Sequence, residues 1–566
     1  MPGAFSWAWT HVRRYPALYA IAAAWILMIS IVPSVVPKSA TTTAGDITDS
    51  GSSGGAAAVG VNGGTSHGGA AAGKSGIIAA AGTNAASGTV GSQPVAAVQK
   101  AAGVTRGGFR CAPGVRQVAW SVYAPPCVAK FTGFNGGKTY NGVDAKTIKL
   151  EVRVTVDAGG PASQTSDKLQ QQAGNSTNAQ SYQYAQQLLP WFNKNYELYG
   201  RKLVIDKYNG QGNSIDEAQN KGQEAACADA TNVATTQHAF MDVLWGFTEE
   251  TGVFTDCAAR QRVFMPLTAP YFPEIAFQKW HPYAWDNTMQ CERISRDLAE
   301  YAGKRLNNRK AKWAGDAAAQ AMNRRFALYV PNDPNYLHCV SIFEQKFKEQ
   351  YGGNIVSEYH YALDVSQFPS EALRAIVQFQ AAHATTIILA CDNLSPIFLT
   401  QGAKQQSYHP EWLLIGVAGT DTDASASTYD STEVNGHLFG MSQLGNNTKL
   451  ASPSSEAARA WREATGTALP NLGAVTVYYD LVDIFSFLQA AGPVLTPQNA
   501  AVGIRQNPEA GIGGGNGTWS WAHDHTATID AREIYWDGSH FQETYGGRRF
   551  QSGQWPREEP PIYPKH

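Results

Sequence analysis

Charge is scarce in this chain of 566 residues. Asp, Glu, Lys and Arg make up 16% of it, and the formal net charge is −2. With no basic excess there is no electrostatic footprint for nucleic acid or for an acidic membrane surface. Metal-ligand spacing is missing as well. The seven cysteines (Cys111, Cys127, Cys227, Cys257, Cys291, Cys339 and Cys391) contain no CxxC pair, and no HExxH occurs. This excludes the usual zinc and metalloprotease signatures. Residues 38–108 contain no Phe, Tyr or Trp and are mostly Gly, Ala, Ser and Thr. A segment of that composition cannot bury enough apolar area to fold. It reads as a flexible linker with an end-to-end distance on the order of 45 Å.

Catalytic motifs that match by letter sit in the wrong context. Gly68 to Ser75 (GGAAAGKS) has the phosphate-loop spacing, and Gly64-Thr65-Ser66-His67-Gly68 has the GxSxG spacing. Both lie in the linker, without the preceding strand and following helix those motifs need. Gly511–Gly517 is Gly-rich, but no strand leads into it. His523-Asp524-His525 sets two imidazoles beside a carboxylate; a metal needs a third ligand placed by the fold, and the triplet reads as a surface loop. The pairs Glu249-Glu250 and Glu558-Glu559 point different ways and read as solvated. No enzyme activity, metal or cofactor is expected.

What is present begins with an uncharged apolar run over 15–37, preceded by Arg13 and Arg14 and followed by Lys38. Its length suits a bilayer span, and the positive flank orients residues 1–14 inside and the remainder outside. A cleaved signal peptide is the alternative; either reading exports the rest, as a membrane-bound or a secreted protein. In an exported chain disulfides are the default. Cys111 with Cys127, and Cys227 with Cys257, are the candidate pairs. Cys291, Cys339 and Cys391 allow one further pair and one free thiol.

From Val143 to Val417 short apolar strands alternate with helical stretches, twice over, with a break at His281–Trp285. Such alternation predicts parallel sheets covered by helices. Strands are expected over 147–156, 202–208, 240–244, 262–267, 325–330, 354–361, 385–390, 411–417, 438–443 and 526–535. Helices are expected over 176–199, 214–231, 248–261, 288–306, 336–351, 370–383, 395–405, 454–464 and 478–491. In the last of these, Leu481, Ile484, Phe485 and Leu488 share one face, as core packing requires.

Several segments resemble the type 1 periplasmic binding proteins, the solute receptors of ABC transporters for branched-chain amino acids and related solutes. KTIKLEVRV resembles the first strand of that family. RRFALYVPNDPNYLHCVSIFEQKFKEQYGGNIVSEYHY resembles the strand, helix and strand that open its second lobe. ATTIILACDNLSPIFLTQGAKQQSYHPEWLLIGV resembles the next unit, and VTVYYDLVDIFSFLQAAGP the helix that returns to lobe 1. The resemblance covers about residues 142–545. It implies an α/β fold of two Rossmann-like lobes with parallel sheets joined by a three-strand hinge, behind a transmembrane helix and a disordered linker. A stapled lead-in would occupy 109–141, lobe 1 residues 142–283 and 440–515, lobe 2 residues 284–439 and 516–545, and a tail 546–566. The hinge crossings fall near His281–Trp285, Gly419–Leu438 and Gly511–Trp519. The implied partners are a small solute (an amino acid, an amide or a larger apolar acid) and an ABC permease, with the membrane reached through the N-terminal helix; a sensory module is the alternative, and a hydrolase stands behind both.

In open parallel sheets ligands sit beyond the carboxyl ends of the strands. The family binds a carboxylate through hydroxyls and backbone N–H groups in lobe 1, which carries over to Trp245-Gly246 and Thr268-Ala269. It meets an ammonium with carboxylates and aromatics in lobe 2, which carries over to Asp333, Tyr336, Asp392 and Asn393. Tyr283 and Trp285, at the first crossing, are expected to stack on a solute or on a cation. The plainer alternatives are helix caps for Asp333 and Asp392 and core packing for Tyr283 and Trp285.

Overall fold

The computed structural model describes residues 103–561, apart from 161–162, 165–166, 169–170, 172–174, 244, 246–251, 269–271 and 365. The expected span at 15–37 and the linker up to residue 102 lie outside the described residues. Among the described residues no helix is long and apolar enough to cross a membrane.

Lobe 1 is built on β1 (Thr147–Val154), β2 (Lys202–Asn209) and β3 (Met241–Asp242), all parallel in the order β2-β1-β3. In β1, Ile148, Leu150 and Val152 face one core, while Glu151 and Arg153 are buried on the other side. Both faces are covered, as a parallel sheet requires. The helices are α1 (Asn178–Asn195), α2 (Ser214–Ala218), α3 (Gln223–Thr235), α4 (Gly252–Arg260) and α5 (Glu274–Trp280). The single helix expected over 214–231 is two. Asn213 caps α2, then Asn220 (φ 58°) and Gly222 (φ 68°) turn the chain left-handed before α3. The strand expected over 262–267 shrinks to single parallel bridges, Met241 to Phe264 and Met265 to Ala284. Pro266 follows at once and has no N–H to continue a ladder.

Lobe 2 runs α6 (Cys291–Tyr301), β4 (Phe326–Pro331), α7 (Pro334–Tyr351), β5 (Ile355–Tyr361), α8 (Phe368–Ala381), β6 (Thr386–Leu389), α9 (Ser395–Gln405), β7 (Glu411–Leu414) and β8 (Leu438–Ser442). The chain then covers lobe 1 with α10 (Glu456–Thr465), α11 (Leu472–Ala490) and α12 (Pro497–Arg505), and returns as β9 (Ala531–Trp536), β10 (Phe541–Glu543) and β11 (Arg549–Phe550). The sheet order is β10-β9-β8-β7-β6-β4-β5, with β11 on β9. Strands β4 to β8 are parallel and β9 to β11 antiparallel. Because β8 extends the lobe 2 sheet beside β7, the chain cannot leave that lobe at 419–438 as expected; it leaves after Ser442.

The hinge is three adjacent segments. Asp286 bridges Thr526, Thr528 N–H donates to Thr288 O at 3.1 Å, and Met289 N–H donates to the Gln443 side chain. The Gly511–Gly517 stretch is a loop inside an antiparallel pair, Ala510 with Trp519, so the third crossing falls later, at 526–530. His525 is not on a surface loop: it is buried, its Nδ1 is 2.7 Å from Glu274 Oε1, and its Nε2 is 2.8 Å from His281 Nδ1.

Both candidate disulfides are present, with Cα–Cα distances of 5.7 Å (Cys111–Cys127) and 5.0 Å (Cys227–Cys257). Cys291 and Cys339 form a third, joining α6 to α7, and Cys391 is a buried free thiol. The lead-in starts before 109: Val104 already bridges Arg110. It then lies across lobe 1. Gln117 Nε2 donates to Asn195 O, Ser121 Oγ to Glu456 Oε2, and Tyr123 Oη to Gly517 O.

Candidate functional site

The strand orders locate a site without reference to any ligand. In lobe 1 the order reverses between β1 and β3, and in lobe 2 between β4 and β6. Beyond the carboxyl ends at such switch points neighbouring loops diverge and leave a crevice. The loops concerned are 155–160 after β1 in lobe 1, and 332–336 and 390–395 in lobe 2. The lobes meet at this level: Asn220 Nδ2, from the turn after α2, donates to Asp333 Oδ2 at 3.0 Å.

In lobe 2 the two expected carboxylates are committed to backbone. Asp333 Oδ1 accepts from Asn335 N (2.9 Å) and Tyr336 N (3.3 Å), capping α7. Asp392 Oδ1 accepts from Leu394 N (2.7 Å) and Ser395 N (2.9 Å) at the start of α9, and its Oδ2 accepts from the Tyr361 hydroxyl. Asn393 is half-buried beside it. Tyr336 instead lines a crevice with Ile294, Val340, Ala390, Ile415 and Val417. It is apolar and holds about 20 Å³, room for a water or two rather than a solute.

In lobe 1, Trp245 and Thr268 are both buried; Gly246 and Ala269 lie outside the described residues. Trp245 Nε1 donates to Asp480 Oδ2 at 3.2 Å. Tyr283 stands apart from the cleft. Its hydroxyl meets Tyr140, whose own ring packs on Phe240 at the amino-terminal end of the sheet. Trp285 is fully buried under the first crossing, against His525 and Phe487 with the Arg505 guanidinium over its ring. The stacking role expected for these two is therefore not available: one faces the wrong end, the other is core.

Beneath Trp245 lies an acidic floor. Asp480 and Asp483, one turn apart on α11, meet Asp286 from the first crossing. Asp483 and Asp286 are buried, while Asp480 is partly exposed. Asn287 Nδ2 donates to Asp480 Oδ1 at 3.4 Å, and Thr288 N to Asp286 Oδ1 at 2.7 Å. Burial pushes Asp286 up to about 6, and burial together with the Asp286 charge pushes Asp480 up to about 7. Asp483 is raised more strongly, by burial and by both of the others.

No protein-family model matches the sequence, and no curated protein matches it. Solved structures do. A substrate-binding protein of an ABC transporter from Aeropyrum pernix aligns with a TM-score of 0.52 at 14% identity, over 72% of this chain and 96% of its own. The fatty acid ABC transporter substrate-binding protein from Thermomonospora curvata aligns with a TM-score of 0.50 at 13% identity, over 75% and 97%. The fold is that of the ABC transporter substrate-binding proteins. A further member of that group, from Desulfitobacterium hafniense in complex with Leu, aligns at 17% identity with a TM-score of 0.46, over 70% and 100%.

Asp333, Tyr336, Asp392 and Asn393 follow β4 and β6, and Trp245 follows β3. The three floor aspartates were not among the expected residues. Their signal was nonetheless in the sequence: YYDLVDIFSF carries two acids, three apart, inside an otherwise apolar helix.

Proposed function

We propose that this protein is an extracytoplasmic solute receptor, held at the membrane by residues 15–37. It captures a small organic solute between its lobes and delivers it to an ABC-type permease. The observation that carries the reading is the pair of switch points opening onto one cleft, with the Asn220–Asp333 hydrogen bond already joining the lobes across it. Closure then follows from a ligand that touches both lobes and so favours the closed arrangement by its differential affinity. On this reading the apolar lining of the crevice at Tyr336 suits the carbon skeleton of an amino acid or of a larger apolar acid.

A thermal-shift screen over amino acids, amides, aromatic acids and steroid-like acids, followed by calorimetry on the hits, tests this. A true ligand at 100 times its Kd adds about 2.7 kcal/mol of stability. Tyr336→Ala is expected to weaken it at least tenfold without lowering the melting temperature of the free protein by more than a few degrees. Absence of a shift with every class, or affinity untouched by Tyr336→Ala, refutes the reading.

A further inference from the structure

We infer that a histidine pair makes the hinge acid-sensitive: His281 and His525 fasten the first and third crossings together at neutral pH and separate when both rings are charged. His281 opens the first crossing, and His525 stands one residue before the third. Their rings meet edge to face, with His281 Nδ1 2.8 Å from His525 Nε2. Beside this contact the Asp286 N–H donates to His525 O at 3.0 Å, so side chain and backbone join the same two segments. His525 is buried against the rings of Phe277 and Trp285. His281 is exposed, so a proton reaches the pair from solvent. The inference is independent of any solute.

The partners fix where the protons lie. Glu274, at the start of α5, accepts from the backbone N–H of His525 at 3.1 Å and from its Nδ1 at 2.7 Å. A carboxylate only accepts, so His525 Nδ1 carries a proton. In the neutral ring Nε2 is then an acceptor, and His281 Nδ1–H donates to it. One added proton leaves the contact intact, because either ring can act as the donor. A second sets two N–H groups and two positive charges face to face, and the contact opens.

The surrounding charges favour one added proton over two. Glu274 attracts the first. The Arg505 guanidinium, at the end of α12, lies 3.5 Å from His525 Nε2 and opposes both. On α6, Arg293 is paired with Asp524, the neighbour of His525, and Glu292 accepts from the Glu274 N–H at 2.8 Å, with His338 of α7 3.6 Å away. Since α6 belongs to lobe 2 and α5 to lobe 1, the pair sits at a joint between the lobes. His281 titrates below the ordinary imidazole range, through desolvation of its ring, then the charge on His525, then Arg505. The unfolded chain therefore takes up this proton at a higher pH than the folded protein does. The contact contributes fully above about pH 6.5, and its contribution is lost as pH falls through the folded value.

The test is amide hydrogen exchange of the full chain at pH 8 and pH 5, corrected for the intrinsic rates and read by mass spectrometry on peptides covering 281–289 and 522–529. Protection of these two segments is expected to fall about fivefold or more in acid, while peptides from β4 to β7 keep theirs. Asp286 lies in the same segment and also titrates, at about 6, so variants assign the effect. His281→Gln carries both a donor and an acceptor and meets His525 in either protonation state; its acid loss should shrink to less than about twofold. His281→Ala lacks the contact altogether and should show the low protection at pH 8 as well. Equal protection of the wild-type segments at the two pH values overturns the proposal. So does an acid loss undiminished in His281→Gln, which would assign the change to Asp286.

Discussion

Asp480 is the residue at which the floor meets solvent, and its environment sets a pH dependence. Its carboxyl is raised by burial, then by Asp286, as is that of Asp286 by burial. The folded protein therefore holds protons that the unfolded chain has released between about pH 4 and pH 7. These groups contribute stability that is complete below about pH 4 and is lost as pH rises through 6 to 7. Asp480→Asn removes its share, and urea unfolding at pH 5 and pH 8 should then differ by less than in the parent, by on the order of 1 kcal/mol once solvent screening is allowed for. An unchanged difference would place Asp480 outside the titrating group. At this scale the sequence was a partial guide. Spacing after strands put Asp333 and Tyr336 just past β4 and Asp392 just past β6, since a strand's end is fixed by its hydrophobic run. It did not reveal that the Asp side chains would be spent on backbone N–H groups. Nor did it reveal which end of the ladder Tyr283 would face, because that depends on register against Met265.

Among the elements, the βα alternation was legible because its periodicity switches at every boundary. The edges of α9 fell where the pattern put them, and β2 and β5 lay within a residue of expectation. Departures trace to single residues with a backbone role. Pro266 stops a strand, and Asn220 with Gly222 splits a helix. The Gly-rich stretch at 511–517 is another case in which local chemistry gains meaning only from a distant partner. Gly511 has φ 80°, and a Cβ there would come within 2.2 Å of the Tyr123 ring. Tyr123 itself fills the loop, accepting from Asn516 N and donating to Gly517 O, both at 3.0 Å. Gly511→Ala combines left-handed strain with a ring clash and is expected to lower stability by about 2–3 kcal/mol; an unaltered melting temperature would mean that the loop and the lead-in repack freely. Composition alone marked this stretch as loose, and it is instead a socket.

For the molecule as a whole, the two-lobe plan followed from the order of elements, whereas the point of the second crossing did not. Whether a late strand closes one sheet or opens another depends on which edge it finds, and β8 finds β7. The Asn220–Asp333 contact is the feature most open to test at this scale. Removing it with Asn220→Ala should shift the unliganded protein towards separated lobes. Small-angle scattering would register a larger radius of gyration for the variant, and a solute should bind it several-fold more weakly, because part of its affinity is used to close the lobes. Identical scattering curves and equal affinities would show that the contact is incidental.

The lead-in has a mechanical consequence. It is stitched to α1, to α10 and to the loop that precedes the third crossing, and Arg201 fastens it further through the carbonyls of Asn135 and Pro493. Lobe 1 and this strap thus move as one piece, and any swing between the halves is carried by lobe 2. On the proposed reading lobe 1 is the stationary jaw, and the face presented by lobe 2 is the part of the surface that reports whether the cleft is full.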